Sequence, residues 1–281
     1  MTAVVFALSS ALVYGIADFL GGLASRRSEM AMPVVWLSQA TGLALLVAVV
    51  GFLPATGFAP ADLVWGAGAG AAGGFALISF YRGLAEGRMS VVAPLAAVIT
   101  GGIPVLVGLG LGERPGLLAF AGIAVALVAI ALISREPPTA EIRAGRSRAV
   151  LLAVLAGIGF GAFFVLLERS GDDTGLWPLL AARTTSVTMI GVVLLPRRGR
   201  RLPTRTSLRA TIGAGVLDVS ANVLYLLAVR RGLLTLVSVL IALYPASTVV
   251  LAQVVLGERL RRVQGIGLGV GAVAVALISV A

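Results

Sequence analysis

Apolar runs of about twenty residues alternate with short polar stretches along almost the whole of this 281-residue chain. The runs lie at 3–24, 33–53, 63–81, 89–111 and 116–134, then at 149–168, 176–195, 208–229, 233–256 and 263–281. A helix rising about 1.5 Å per residue needs about twenty apolar residues to cross about 30 Å of hydrocarbon, so each run predicts one spanning helix. The pattern predicts an all-α integral membrane protein of ten transmembrane helices. The first run is longer than the apolar core of a signal peptide and no basic segment precedes it, so it reads as a retained span.

The pattern also repeats, at a constant offset of 145 positions. Gly112-Glu113-Arg114 returns as Gly257-Glu258-Arg259, and Ala131-Leu132-Ile133-Ser134 as Ala276-Leu277-Ile278-Ser279. Gly68-Ala69-Gly70 returns as Gly213-Ala214-Gly215, Gly122 as Gly267, Gly87 as Gly232 and Pro33 as Pro178. The polar stretch 135–148, opened by Arg135-Glu136-Pro137-Pro138, separates a first repeat at 1–134 from a second at 149–281. Five spans per repeat is an odd number, so the second repeat would enter the membrane from the opposite side. Two inverted repeats of five helices can exchange conformations, which is the plan of an alternating-access transporter.

Composition narrows the chemistry. The chain is 59% hydrophobic and 12% charged, too little polar surface for water and enough for lipid. It has no Cys, His or Lys, which excludes thiolate chemistry, histidine acid–base or metal work, a Schiff base and the lysine of a phosphate-binding loop. No cofactor, metal or catalytic group is expected. The net charge of +10 comes from Arg, placed mostly in short connections beside lipid, which argues against nucleic acid. Only Arg114, Arg169, Arg230 and Arg231 fall on one face, and Arg183 lies inside a span. The positive-inside rule then puts both termini outside.

Several residues resemble the ten-helix, EamA-type members of the drug/metabolite transporter superfamily. Val91-Val92-Ala93-Pro94-Leu95 leads into Gly112-Glu113-Arg114, and the stretch from Val237 through Tyr244-Pro245 leads into Leu256-Gly257-Glu258-Arg259-Leu260. Tyr14-Gly15 and Phe160-Gly161 form a matching aromatic–Gly pair, slipped by one residue. The resemblance covers nearly the whole chain. It implies a secondary transporter or exporter of small metabolites, with a central cavity, in the cytoplasmic membrane of a bacterium. It also implies cytoplasmic termini, opposite to the Arg distribution.

Charged residues inside spans are costly and mark candidate sites. Asp218 lies about 15 Å into its span and Arg183 about 10 Å from the opposite face, levels that differ by about 5 Å. An Arg183–Asp218 ion pair fits those depths, as a site for zwitterions such as amino acids or as a buried structural pair. At the repeat offset these positions are Ser38 and Gly73, so the pair exists in one half only. Asn222 and Tyr225 follow Asp218 on the same helical face and line either a cavity or a helix contact. Asp18, one turn beyond Tyr14, is a candidate for coupling to protons, or else a carboxylate reaching water or Arg26 and Arg27.

Gln39 is the best ligand candidate in a patch with Trp36, Ser38 and Thr41, because Ser and Thr can bond their own helix. The same holds for Thr184, Thr185 and Ser186. Tyr81 and Arg82 read as an interface anchor. Tyr244 sits beside Pro245, a possible hinge or a tolerated kink, as are Pro94 and Pro104. Glu113 and Glu258 end spans and serve either as caps of a neighbouring helix or as gate residues. A lipid-carrier flippase and a membrane-embedded enzyme are the alternative functions.

Overall fold

The computed structural model describes residues 1–26, 31–52, 55–57, 59–86, 89–134, 146–195, 205–257 and 260–281. Helix dominates, and no strand occurs among the described residues. The helices are α1 (Thr2–Arg26), α2 (Ala31–Val49), α3 (Pro60–Glu86), α4 (Met89–Gly110), α5 (Leu117–Ile133), α6 (Arg146–Glu168), α7 (Trp177–Leu194), α8 (Arg205–Val229), α9 (Leu234–Ile241), α10 (Pro245–Leu256) and α11 (Arg262–Ser279). Among the described residues, eight stretches are long and apolar enough to cross a membrane, one of them the combined α9–α10 stretch Leu234–Leu256. Leu95–Gly110 and Leu117–Ile133 are shorter apolar helices, which brings the total to the ten that the hydropathy pattern predicts.

The outer surface explains the composition. Val5, Leu12, Val47, Leu106, Val128 and Val254 are exposed large apolar side chains, suited to acyl chains rather than water. Between helices the chain uses small residues. A Cβ at Gly70 of α3 would collide with the Ala182 carbonyl of α7, and one at Gly215 of α8 with the Ser38 carbonyl of α2. Such close approach maximises dispersion contact where lipid supplies no hydrophobic drive.

Helices from the two ends of the sequence interlock in matched ways. α1 packs along α8, and α6 along α3; α5 packs along α11. At that last contact, a Cβ on Gly122 would lie 2.7 Å from Ile278, and one on Gly267 would lie 2.8 Å from the main chain of Ile133. Both contacts pair the same two repeat positions, with the halves exchanged.

The ninth span differs from a plain helix. α9 stops at Ile241, the chain turns through Ala242-Leu243-Tyr244, and α10 restarts at Pro245. Proline at the first helical position lacks the N–H that would continue the preceding ladder. α4 runs without interruption past Pro94 and Pro104, so proline breaks this fold at one of three candidate places.

One face gathers the chain's N-terminus and several tight connections. Arg231 lies 5.2 Å over the Phe6 ring, and Asp62 accepts from the N–H groups of Ala59 (2.8 Å) and Gly171 (3.0 Å). Arg230 donates to Thr174 Oγ1 at 2.8 Å and to the carbonyls of Gly171 and Gly175. Burial lowers the Arg230 pKa, a shift opposed by Asp172 and Asp173 nearby.

Candidate functional site

Three helices bring the in-span charges together. Arg183, one and a half turns into α7, donates from Nη2 to Asp218 Oδ2 of α8 at 2.6 Å. Its Nη1 donates to Gln39 Oε1 of α2 in a very short contact. The guanidinium is 8% exposed and the carboxylate 28%, so the pair straddles the boundary between packed helices and open space. Close approach of α2 to α8 at Gly215 and of α3 to α7 at Gly70 sets this arrangement, because larger residues would push each pair of helices apart. Ser186, one turn beyond Arg183, donates to the Arg183 carbonyl at 3.1 Å and reaches Gln39 Oε1 at 3.4 Å.

The open space is a cavity of about 200 Å³ between helices. A water molecule's share of liquid volume is about 30 Å³, so the cavity has room for a small solute. Of the sequence candidates, Tyr14, Asp18, Gln39, Arg183, Asp218, Asn222 and Tyr244 all line it. Asn222 donates from Nδ2 to the Asp218 carbonyl at 2.7 Å. Tyr14 and Tyr244 stand with ring centroids 6.4 Å apart, joining α1 to the broken span.

Tyr225 is not in this group. It is fully buried, its hydroxyl donates to the Phe164 carbonyl at 2.6 Å, and its ring lies 4.7 Å from that of Phe164. It fastens α8 to α6. The polar stripe on α8 therefore divides, with Asp218 and Asn222 at the cavity and Tyr225 in a helix contact. Trp36 likewise joins helices, donating to the Val187 carbonyl at 3.1 Å. Ser38, Thr41, Thr184 and Thr185 bond carbonyls of their own helices.

Other cavity residues escape the sequence reading. Tyr81 lines the cavity instead of anchoring an interface, because α3 continues a further turn past it to Glu86. Phe80, Phe160, Phe163 and Phe164 form an aromatic wall, with Phe80 and Phe160 6.1 Å apart. The spacing of Phe160, Phe163 and Phe164 puts them on one helical face, a signal shared with ordinary core packing. Thr100 also lines the cavity and bonds the Ala96 carbonyl at 2.8 Å.

Glu113 lies apart from the cavity. Gly112, with φ of +94°, ends α4 in the left-handed region that glycine tolerates, and Gly257 ends α10 in the same way with φ of +68°. The turn at Gly112 aims Glu113 at the start of α9, where its two oxygens accept from Leu234 N (2.7 Å) and Thr235 N (2.9 Å). Those N–H groups have no partner inside the helix, and the carboxylate also meets the positive end of the dipole. Glu113 thus has the geometry of a cap. Glu258, Arg259 and Arg27 lie outside the described residues.

The polar, aromatic-lined cavity among membrane helices agrees with a family match. Residues 147–280 match the EamA-like transporter family. This half of the chain belongs to that family, part of the drug/metabolite transporter superfamily. EamA proteins are membrane transporters rather than enzymes, and the family and the spanning helices together make this chain a multi-pass, transporter-like membrane protein. No curated protein matches the chain. Among solved structures 28 chains are similar. One of them, a crystal structure of a protein, is 17% identical and has a TM-score of 0.77 over 99% of this chain and 97% of its own. At that identity the likeness speaks for the fold alone.

Proposed function

We propose that this EamA chain is a secondary transporter, an exporter of small metabolites such as amino acids or related compounds, working by alternating access in a cell membrane. Residues 1–134 and 149–281 act as two inverted five-helix repeats joined by 135–148. The exchanged contacts support this reading: α1 on α8 is matched by α6 on α3, and Gly122 on Ile278 by Gly267 on Ile133. Repeats related in this way can trade conformations and so open a shared cavity to either side.

The observation that carries the proposal is the Arg183–Asp218–Gln39 cluster on the cavity wall. A buried pair kept only for packing has no need of a cavity beside it. Here the carboxylate partner is part-exposed to that space, where a substrate can compete for it. Asp18, on the same cavity, is the candidate for proton coupling. Arg183 is the one Arg among the described lining residues, which gives a lipid-carrier reading no cluster for an anionic headgroup.

Counterflow in proteoliposomes tests the function. The wild type loaded with a mixture of unlabelled amino acids and amines exchanges a labelled member of that mixture, and Asp218→Asn loses at least about tenfold of the rate, or about 1.4 kcal/mol. Wild-type exchange matched by the variant would remove Asp218 from the site, and no exchange by the wild type would count against transport.

A further inference from the structure

The face that carries the N-terminus is shut around one short connection, residues 169–176 between α6 and α7. α3 packs along both of those helices, and its Asp62 accepts from Gly171 N at 3.0 Å. Just before α3, Thr56 N and Gly57 N donate to the Asp173 carbonyl at 3.0 and 3.3 Å. Thr174 Oγ1 donates to the Gly171 carbonyl at 2.7 Å, and Gly175 turns in the left-handed region, with φ of +57°. The connection is therefore a well-held turn that belongs to the body of α3, α6 and α7.

Arg230 reaches that turn from the other side of a seam. It follows directly on α8, which packs along α1 and α2. Its Nη2 donates to Thr174 Oγ1 at 2.8 Å and to the carbonyls of Gly171 and Gly175 at 3.1 and 3.2 Å. Three acceptors share the two hydrogens of one nitrogen, so at least one bond is forked. All of them break with a single swing of the side chain. The buried Nε has no partner, and water would supply one once the seam opened. A guanidinium so held closes the face without fixing it.

Beneath this contact lies an apolar plug. Leu167, Leu176 and Leu226 are buried, each about one turn nearer the N-terminal face than the cavity residues Phe163, Leu179 and Asn222. The Tyr225 hydroxyl, bonded to the Phe164 carbonyl, closes the same seam at about that depth. The cavity extends the other way, to Asp18 and Tyr81 in the later turns of α1 and α3.

The sequence puts this contact on one face only. At the offset of 145 positions Arg230 corresponds to Ala85, and Asp62 to Ser207. An exchange of conformations between the halves would shut the opposite face with no arginine at the matching place. The two end states then differ in energy, and the state closed at the N-terminal face is favoured.

We propose that Arg230 is a releasable latch on the 169–176 turn, and that it makes the state open away from the N-terminus the resting state. Asp62 is a positioning residue that holds the turn in place for it. This rests on the transporter reading, in which the two faces open in turn.

The chain has no Cys, so a single introduced thiol reports without background. Leu226→Cys puts one in the plug, and Ala126→Cys puts one in the buried face of α5, away from the seam. Each is reacted with a membrane-impermeant charged maleimide on the full chain in detergent, with and without Arg230→Gln. Loss of a charge-assisted contact shifts a two-state equilibrium by about tenfold or more. Arg230→Gln is therefore expected to speed labelling of Leu226→Cys at least about tenfold, with labelling of Ala126→Cys unchanged.

Equal labelling of Leu226→Cys with and without Arg230→Gln overturns the latch. So does a rise at Ala126→Cys as large as that at Leu226→Cys, which would mean a loosened fold. Should Arg230→Gln fail to fold, Thr174→Val decides, because it removes one acceptor. It is expected to speed Leu226→Cys labelling about threefold, and no change overturns the proposal. Failure of the transporter reading shows differently: labelling responds to Arg230→Gln, but wild-type proteoliposomes exchange no solute.

Discussion

Two polar centres lie among these apolar helices, and they are satisfied in opposite ways. At the face that carries the N-terminus, Glu113 accepts from two backbone N–H groups at the start of α9, which would otherwise have no partner. At mid-depth, Arg183 is held by side chains alone, drawn from α2 and α8, on the wall of a cavity. A backbone N–H cannot leave its helix, so the first centre holds one arrangement. Side chains can exchange partners, so the second can accept a guest. The contrast separates groups that build the fold from groups placed to act.

Perturbing each centre tests that contrast. Glu113→Ala removes two charge-assisted hydrogen bonds, each worth about 1.5–3 kcal/mol, and has the largest effect on stability, about 3–5 kcal/mol. Thermal unfolding in detergent measures it, and transport per folded molecule is expected to stay near wild type. Asp218→Asn leaves Arg183 with Gln39 but without its counter-charge. The carboxylate is part-exposed, so the stability loss is smaller, about 1–3 kcal/mol, while transport falls at least tenfold. That opposite weighting of stability and transport is the signature to look for.

Smaller changes sharpen the picture within the second centre. Gln39→Leu strips the acceptor from Arg183 Nη1 and is expected to cost about 1–2 kcal/mol in unfolding free energy. Ser186→Ala should change stability by only about 0.5 kcal/mol or less, because its hydroxyl already bonds its own helix and only grazes Gln39 at 3.4 Å. A Ser186 effect larger than that of Gln39 would mean that the cluster is organised around the hydroxyl instead.

Much of the scaffold was legible because lipid makes a coarse demand: about twenty apolar residues per crossing. The spans inferred from hydropathy differ from the helices by a few residues, as at 63–81 against Pro60–Glu86. That small error had a consequence, since ending the helix at Tyr81 turned a cavity residue into an interface anchor. Depth along the helix was enough to pair Arg183 with Asp218, because the rise per residue is constant. The same rule left Tyr225 between a cavity and a helix contact. It shares a face with Asp218, but seven residues carry it about 10 Å along the axis, to where α6 covers that face.

The break in the ninth span was not legible from Pro245 alone. Pro94 and Pro104 sit inside α4 without interrupting it, so the outcome depends on neighbours that supply partners for the freed backbone groups. The Phe wall was hidden for a similar reason. Phenylalanine in an apolar run looks the same whether it faces a core, a lipid or a cavity.

The most direct test of the central claim exchanges the charges of the mid-depth pair in one chain, Arg183→Glu with Asp218→Arg, and measures both thermal stability and counterflow. A pair that only docks helices works in either polarity, whereas a pair that meets a substrate does not. The account predicts a chain that unfolds near the wild-type temperature and no longer exchanges solute. Exchange restored to the wild-type rate would contradict it and make the Arg183–Asp218 pair scaffolding.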